Sequence, residues 1–302
     1  MEVNNIKNFS RIKFILSYAF CFISPLDLLH DPSDFASGSF FSSLLHKMGV
    51  LSNKISREQL KPGDHIYSWR QAYIYAHHGV FVGDGKVIHF TRGGGLEVGS
   101  GTVLDRFLVS SSVQSPDNPC PACGDQSNSD GVICSCLDCF LGGGDLYVFE
   151  YGVTPMFFLA KARGGTCTLA NSDSSEVVLH RASFLLQNGF GMYNIFKNNC
   201  EDFAIYCKTG LLIYTTLSVG RSGQAASFLA ATSAIVSSPL RFLTTSCSGL
   251  ALVGMGMYCV SRYVSDIGVR RDVVKIPVEE LVARFSSSSD APEDATQNAK
   301  QE

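Results

Sequence analysis

A β-hairpin at residues 75–90 limits how this chain can fold more than any other part of the sequence. Its two halves have the apolar and β-branched content of strands, and they meet at a Gly-Asp-Gly turn, 83–85. Because successive side chains of a strand point to opposite faces, the loop length decides which histidines meet. A two-residue loop puts His77 and His89 on opposite faces. We predict a three-residue loop, which pairs Gly79 with His89 and makes the two histidines diagonal neighbours on one face.

The other polar residues of the hairpin have structural explanations. Asp84 precedes a glycine in the turn, where aspartate is common, so we interpret it as a turn residue rather than a catalytic acid. His78 points away from the face that carries His77 and His89, because it is one residue out of phase with them. We therefore predict that His78 is structural.

A cysteine at the predicted start of a helix is the candidate nucleophile. Cys200 follows two asparagines, which are good N-cap residues, and we predict that the helix ends near 208–210. The unpaired amides and the positive dipole at a helix start favour a thiolate. The charges of Glu201 and Asp202 oppose this effect, and an inert buried cysteine is the alternative interpretation. A reactive thiol therefore needs a base, and His77 is the candidate.

Further strands and helices follow the hairpin. The stretches 145–151 and 164–169 have the composition of strands, and 174–189 has apolar residues at helical spacing and ends in Asn-Gly. His180 lies on this helix and is interpreted as a surface or half-buried residue. Strands followed by helices predict an α+β fold, in which the Cys200 helix lies against the sheet that carries His77.

Three motifs in this order resemble the lecithin:retinol acyltransferase-like family. That family includes the H-Ras-like suppressor phospholipid acyltransferases and the plant NC-domain proteins, and it belongs with the NlpC-type peptidases in a circularly permuted papain-like superfamily. The opening at 60–66 is also similar to the family's first strand, and the match covers roughly 55–215. The motifs are His77-x-Gly-Val-Phe-Val-Gly-Asp, Val87-Ile88-His89-Phe90 and Asn199-Cys200-Glu201-x-Phe203.

The resemblance implies a fold and an activity. The fold is a circularly permuted papain-like one, with an antiparallel sheet packed on helices. Cys200 is then the nucleophile, His77 the general base and His89 the third, orienting group, with no cofactor for catalysis. Asp202 departs from the animal enzymes, which usually have histidine at that position. We expect a cysteine-dependent lipid acyltransferase or phospholipase that forms an acyl-thioester on Cys200. The alternatives are a cysteine amidase or isopeptidase of the permuted papain type and a non-catalytic, membrane-associated regulator.

Five cysteines crowd into a short, polar part of the chain. Their spacing, C-x2-C followed by C-x-C-x2-C, offers four thiolates and one to spare, which suits a structural zinc ion. The alternative is a set of free or redox-paired thiols on an insertion loop. The residues are Cys120, Cys123, Cys134, Cys136 and Cys139.

The ends of the chain differ in composition from its centre. The uncharged stretches 222–240 and 242–261 have the length of a bilayer span, but their serine, glycine and alanine content suits buried helices equally well. The apolar run 14–25 is too short to span a bilayer, and Met48 followed by glycine resembles a myristoylation start. We predict the following organisation: 1–47, N-terminal extension; 48–215, catalytic domain with a Cys-rich insertion at 116–140; 216–268, apolar helical or membrane-associated region; 269–302, polar tail with a disordered end.

Charge and cysteine content limit the partners. The net charge of −3 and the pI near 6.2 give no signal for binding a polyanion, so nucleic acid is not an expected partner. The odd number of cysteines, eleven, indicates a reducing compartment. We expect a cytoplasmic, membrane-associated protein whose partners are a lipid substrate and the membrane surface. The sequence identifies no protein partner.

Overall fold

The protein is built around one antiparallel sheet. A computed structural model describes residues 53–70, 75–92, 120–124, 130–161, 163–193, 198–213, 256 and 258–289. The main sheet has five strands in the spatial order β4-β3-β2-β1-β5. These strands are β1 (His65–Arg70), β2 (Tyr75–Gly83), β3 (Lys86–Thr91), β4 (Gly131–Cys136) and β5 (Tyr147–Val148).

Helices cover both faces of this sheet. They are α1 (Leu137–Leu141), α2 (Pro155–Ala160), α3 (Ser175–Asn188), α4 (Cys200–Thr209) and α5 (Val278–Ser289), with a 3-10 turn at Arg57–Gln59 and helical residues at 258–265. A second sheet pairs β6 (Leu211–Ile213) with β7 (Val273–Lys275). The predicted α+β class is confirmed. The circular permutation stays a prediction.

The two faces of the main sheet have separate apolar cores. The larger core lies between the sheet and α3, α4 and α5, and its strand residues include Tyr67, Ala76, Val80, Ile88 and Phe90. The smaller core lies under α1 and contains Ile66, Phe81, Val87, Leu137, Phe140, Leu141 and Leu146. Each strand therefore has one set of alternating side chains in each core, as expected of a sheet that is buried on both sides.

The hairpin reaches the predicted register by a different turn. Its loop has two residues, Asp84 and Gly85, and both have positive φ (49° and 65°), which is typical of a type I′ turn. The predicted three-residue loop is therefore wrong. A bulge between Phe81 and Gly83 adds one residue to β2 and compensates for the shorter loop. The predicted pairing of Gly79 with His89 is confirmed.

The helix that begins at Cys200 is capped as its sequence predicts. The side chain of Asn199 accepts hydrogen bonds from the backbone amides of Glu201 and Asp202, and Asp202 accepts one from the Asn199 amide. This reciprocal capping box satisfies amides that the first turn leaves unpaired. The helix ends before Gly210, whose φ of +68° is the left-handed conformation of a C-cap.

The later predicted elements are partly confirmed. The helix predicted at 174–189 is α3, which ends at Gly189. The strand predicted at 145–151 is reduced to β5, and the one predicted at 164–169 makes a single bridge, from Cys167 to Glu150. Residues 131–136, from the predicted Cys-rich insertion, form the edge strand β4 of the main sheet.

Part of the predicted polar tail packs into the larger core. Ile276, Val278 and Leu281 are buried there, and α5 lies against α3. Helix α5 forms within this predicted tail, from Val278 to Ser289. The domain boundaries stay predictions, and the segments 1–47 and 222–240 lie outside the described residues, as does most of 242–261. Within the described part of the chain, no helix has the length and apolarity needed to cross a bilayer.

Gly79 of β2, which pairs with His89 of β3, allows a test of how closely α1 packs on the sheet. A Cβ added at Gly79 would lie 2.7 Å from Val87 Cγ1 and 2.9 Å from the Phe140 ring. We therefore expect Gly79→Ala to lower the free energy of unfolding by about 1–3 kcal/mol, measured by urea denaturation. Gly256→Ala is the control, because nothing lies within 4 Å of its added Cβ. Equal stability of the Gly79→Ala variant and the wild type would contradict this packing.

Candidate active site

A chain of hydrogen bonds joins the two predicted catalytic histidines to a serine. His77 Nε2 lies 2.9 Å from His89 Nδ1, and His89 Nε2 lies 2.8 Å from Ser135 Oγ. The bulge between Phe81 and Gly83 places both histidines on one face of the sheet. Strand β4 pairs with β3 and presents Ser135 on that same face. The structure therefore brings His77 and His89 together as predicted.

Burial keeps this pair neutral. His77 and His89 are 0% and 2% exposed, so removal from water disfavours their charged forms. This desolvation lowers the pKa of His89 to about 3, with a smaller contribution from the Arg70 charge. It also lowers the pKa of His77 well below its ordinary value, assisted by His89 and Arg70. A neutral imidazole is the form that can accept a proton.

Helix α1 closes the histidine face of the sheet. The Phe140 ring lies 5.1 Å from the ring of His77 and 5.5 Å from that of His89. Arg70, at the end of β1, donates hydrogen bonds to the carbonyl oxygens of Phe140 and Leu141, the last residues of α1. This contact satisfies carbonyls at the helix end and brings a cation close to the histidine pair.

Cys200 approaches the sheet from the other side, at the residue before His77. Its Sγ lies 2.9 Å from Tyr75 Oη and 3.9 Å from the carbonyl oxygen of Ala76. Tyr75 Oη in turn lies 3.0 Å from Tyr193 Oη. The sulfur is 1% exposed, so an ester reaches it only if neighbouring side chains move.

The structure does not join Cys200 to His77 by a hydrogen bond. The Nδ1 atom of His77 is buried and has no hydrogen-bond partner. Within the described residues, the ladder between β2 and β3 runs as far as Gly79 and His89, and Ala76 lies beyond it. Cys200 therefore lies next to the backbone of the histidine pair, while the imidazoles face α1.

The acids beside Cys200 have structural roles. Asp202, where the sequence departs from the animal enzymes, is 0% exposed and forms half of the capping box. Burial and the charge of Glu201 raise its pKa well above the ordinary value, because a charged carboxylate there lacks water. Its Oδ1 has no hydrogen-bond partner. The raised pKa favours the neutral form of Asp202, which opposes a thiolate at Cys200 less than a carboxylate does.

A second pair of buried histidines lies on the face of the sheet that α4 covers. His65 Nε2 lies 2.9 Å from His78 Nδ1, and His65 Nδ1 lies 2.7 Å from Tyr151 Oη. The His65 ring stacks on Phe149 at 4.4 Å. These contacts agree with the prediction that His78 points away from His77 and is structural. His180, as predicted, is on the surface, where its Nε2 pairs with Glu279.

Four of the five clustered cysteines come together. Their sulfurs all lie within 4.8 Å of one another, a grouping that could hold a metal ion, and the residues are Cys120, Cys123, Cys136 and Cys139. The fifth, Cys134, faces the larger core instead, because it is one residue out of phase with Ser135 on β4. No disulfide joins the cysteines that the structure describes.

Sequence comparison identifies the family of this chain. A sequence model of the lecithin retinol acyltransferase family matches residues 58–213, which contain His77, His89 and Cys200. This chain belongs to the lecithin retinol acyltransferase family. It is similar to Protein LEAD-SENSITIVE 1 of Arabidopsis thaliana, with 59% identity over 241 residues, which is 80% of this chain and 93% of that protein. Membership of the lecithin retinol acyltransferase family suggests an acyltransferase-type function.

Some residues of the candidate site were missed in the sequence. Ser135 stands among the clustered cysteines, where a metal-binding loop was predicted instead of a strand. The β-branched pair Val132-Ile133 was the available signal for a strand. Tyr75 lies two residues before His77 on the same strand, but nothing in its local sequence indicates contact with a sulfur that is distant in the chain.

Because four histidines are buried, we predict that the free energy of unfolding falls in acid. Burial lowers the pKa of His78 and of His89 to about 3 and that of His65 and His77 in the same direction. Below about pH 6.5 the unfolded chain binds protons that the folded chain does not, so stability falls as the pH falls towards 3. Each histidine contributes about 1.4 kcal/mol per pH unit in that window. The raised pKa values of Asp202 and Asp266 act in the opposite direction, but among the described residues they are two groups against four.

Urea denaturation between pH 7 and pH 5 measures this dependence. We expect the free energy of unfolding to fall with pH, and His78→Gln to make the fall shallower by removing one titrating group. His180→Gln is the control, because that side chain is on the surface. A wild-type stability that is constant or rises as the pH falls to 5 would contradict the buried, neutral histidines.

Proposed function

We propose that this protein is a cysteine-dependent lipid acyltransferase or phospholipase that forms an acyl-thioester on Cys200. One observation carries the proposal. The buried Nδ1 of His77 has no hydrogen-bond partner, while the Cys200 sulfur contacts the carbonyl of the adjacent residue, Ala76. A thiol at a capped helix start and a neutral imidazole with an available acceptor atom are the two groups that nucleophilic catalysis requires, and here they lie at neighbouring positions of the sheet but on opposite faces.

The hydrogen bonds from His77 to His89 and from His89 to Ser135 allow a tautomer in which His77 can act as a base. In the proposed tautomers, His89 Nε2–H donates to Ser135 Oγ, and His77 Nε2–H donates to His89 Nδ1. The lone pair of His77 then remains on Nδ1. These roles for His89 and Ser135 match that of the third member of a catalytic triad, which orients the base. Cys200 and the His77 imidazole lie on opposite faces of the sheet, so the proposal requires the His77 ring to turn from the α1 face towards the sulfur when the substrate binds.

The proposed reaction has two steps. The Cys200 proton moves to His77 Nδ1, and the thiolate attacks the ester carbonyl carbon. The acyl C–O bond then breaks, and the leaving alcohol takes the proton from His77. In the second step, water, an amine or an alcohol attacks the thioester and restores the thiol. The Cys200 amide, at the start of α4, is the candidate donor to the oxyanion.

We propose lipid rather than peptide as the substrate, and a cytoplasmic membrane surface as the location. The uncharged composition of 222–240 and 242–261 supports contact with lipid. The amidase or isopeptidase remains the alternative with the same nucleophile.

A trapped intermediate tests the function. We expect incubation with phosphatidylcholine labelled in its acyl chains to give a labelled protein that neutral hydroxylamine releases, because thioesters are labile to it. Cys200→Ala should lose the label completely, and His77→Gln should slow labelling by about 10²–10⁴-fold. Cys207→Ala is the matched control, since Cys207 is a buried thiol on the same helix.

Other outcomes separate the alternatives. Labelling by an amide substrate but not by the phospholipid would favour the amidase. No adduct and no turnover with either substrate, in a folded wild-type protein, would overturn the enzyme proposal and favour the regulator.

We also propose that the four-cysteine cluster holds a structural zinc ion. Tetrahedral zinc, with Zn–S bonds of about 2.3 Å, separates its sulfurs by about 3.8 Å. The Sγ atom of Cys136 lies 3.7 Å from that of Cys120 and 3.8 Å from that of Cys123. The Sγ atoms of Cys123 and Cys139 are 3.5 Å apart. Backbone amides also point at two of these sulfurs, from Ala122 to Cys120 and from Cys139 to Cys136. Such amides orient and stabilise thiolate ligands.

Metal content tests the zinc proposal. We expect one zinc ion per chain by elemental analysis of protein purified under reducing conditions, and about half that or less in Cys136→Ser, because three thiolates bind more weakly. Cys134→Ser is the control and should keep its zinc. Metal-free wild-type protein, or iron in place of zinc, would overturn the assignment.

A further inference from the structure

We propose that metal binding at the four-cysteine cluster positions Ser135 and Phe140 against His77 and His89, so that the metal controls the geometry of the histidine pair. This inference rests on the proposed metal site. It goes beyond a structural role for zinc, because it makes the ion a positioning element for the candidate base.

The first connection is through Ser135. This serine directly precedes the cluster residue Cys136, and its hydroxyl lies 2.8 Å from His89 Nε2. It is 3% exposed, so water does not replace the hydroxyl if the serine moves away. A bound ion that fixes Cys136 therefore fixes the partner of His89 one residue away.

The second connection is through Phe140. This residue directly follows the cluster residue Cys139, and its ring contacts both His77 and His89. Its helix, α1, has five residues, which is too short to be stable without tertiary contacts. Arg70 holds the last carbonyls of α1. A bound metal would hold its first turn, through Cys136 and Cys139.

The cluster also ties this turn to a distant segment. Cys120 and Cys123 lie on a tight turn closed by the Gly124 amide, which donates to the Cys120 carbonyl at 2.8 Å. Within the described residues, β4 pairs with β3 alone, so it is an edge strand of the sheet. Without a metal ion, no metal–sulfur bonds join the turn at Cys120 and Cys123 to the first turn of α1. The edge strand and α1 then depend on fewer contacts, and both carry a neighbour of the histidine pair.

Nitrogen NMR of the histidine rings measures the coupling directly. We would compare ¹⁵N-histidine-labelled full-length protein loaded with zinc, stripped with a chelator, and reloaded with zinc alone. We expect the His89 and His77 ring signals to shift or broaden on stripping and to return on reloading. The His65 and His78 signals are the internal control, because that pair lies on the other face of the sheet.

Two variants test the coupling if stripping unfolds the chain. Ser135→Ala should keep its zinc, change the His89 ring signals and lower kcat about tenfold with little effect on KM. Ser135→Thr keeps a hydroxyl and should restore both. Cys134→Ser, on the other side of Ser135, should match the wild type in zinc content and ring signals.

The outcomes distinguish the separate proposals. If the protein binds no metal, the zinc site and the coupling are both overturned. If zinc binds but the His77 and His89 signals are the same in loaded and stripped protein, or unchanged in Ser135→Ala, the coupling alone is overturned. The ring signals need no turnover, so failure of the acyl-transfer proposal leaves this test intact.

Discussion

The site depends on one extra residue in the β2–β3 hairpin. A two-residue turn alone would place His77 and His89 on opposite faces of the sheet, since each one-residue shift in register reverses every side chain of a strand. The bulge between Phe81 and Gly83 restores the phase, and the hydrogen bond between the two imidazoles follows from it. The same register decides that Gly79 lies opposite His89, where the lack of a side chain leaves room for Phe140.

Both faces of this sheet are buried, yet each face carries polar side chains that are unusual in a protein core. Each face contains a pair of hydrogen-bonded histidines, and each pair extends to a hydroxyl, Ser135 on one side and Tyr151 on the other. Buried polar groups are tolerable when they satisfy one another, and a charged imidazole here would lack water. Neutrality is therefore a condition of the fold, and on the α1 face it also provides the protonation state that a base needs.

The local features of the fold could be predicted from the sequence, because they depend on short-range chemistry. The cap at Asn199, the helix ends at Gly189 and Gly210 and the pairing of Gly79 with His89 all follow from neighbouring residues. The turn type was wrong because a bulge and a longer loop produce the same register, and the sequence does not separate them. Contacts between distant segments were not predictable. Ser135 on His89, Arg70 on α1, and Tyr75 on Cys200 each join residues that only the assembled sheet brings together.

The small sheet of β6 and β7 has a mechanical consequence for the nucleophile. Strand β6 begins two residues after α4 ends, and β7 pairs with it, so Ile213 and Val273 lie side by side although they are distant in the sequence. The Ile276 amide donates to the Gly210 carbonyl, directly at the end of the helix that starts with Cys200. Strand β7 and the Ile276 amide therefore hold the C-terminal end of the helix whose first residue is the thiol, so the position of Cys200 also depends on residues far along the chain.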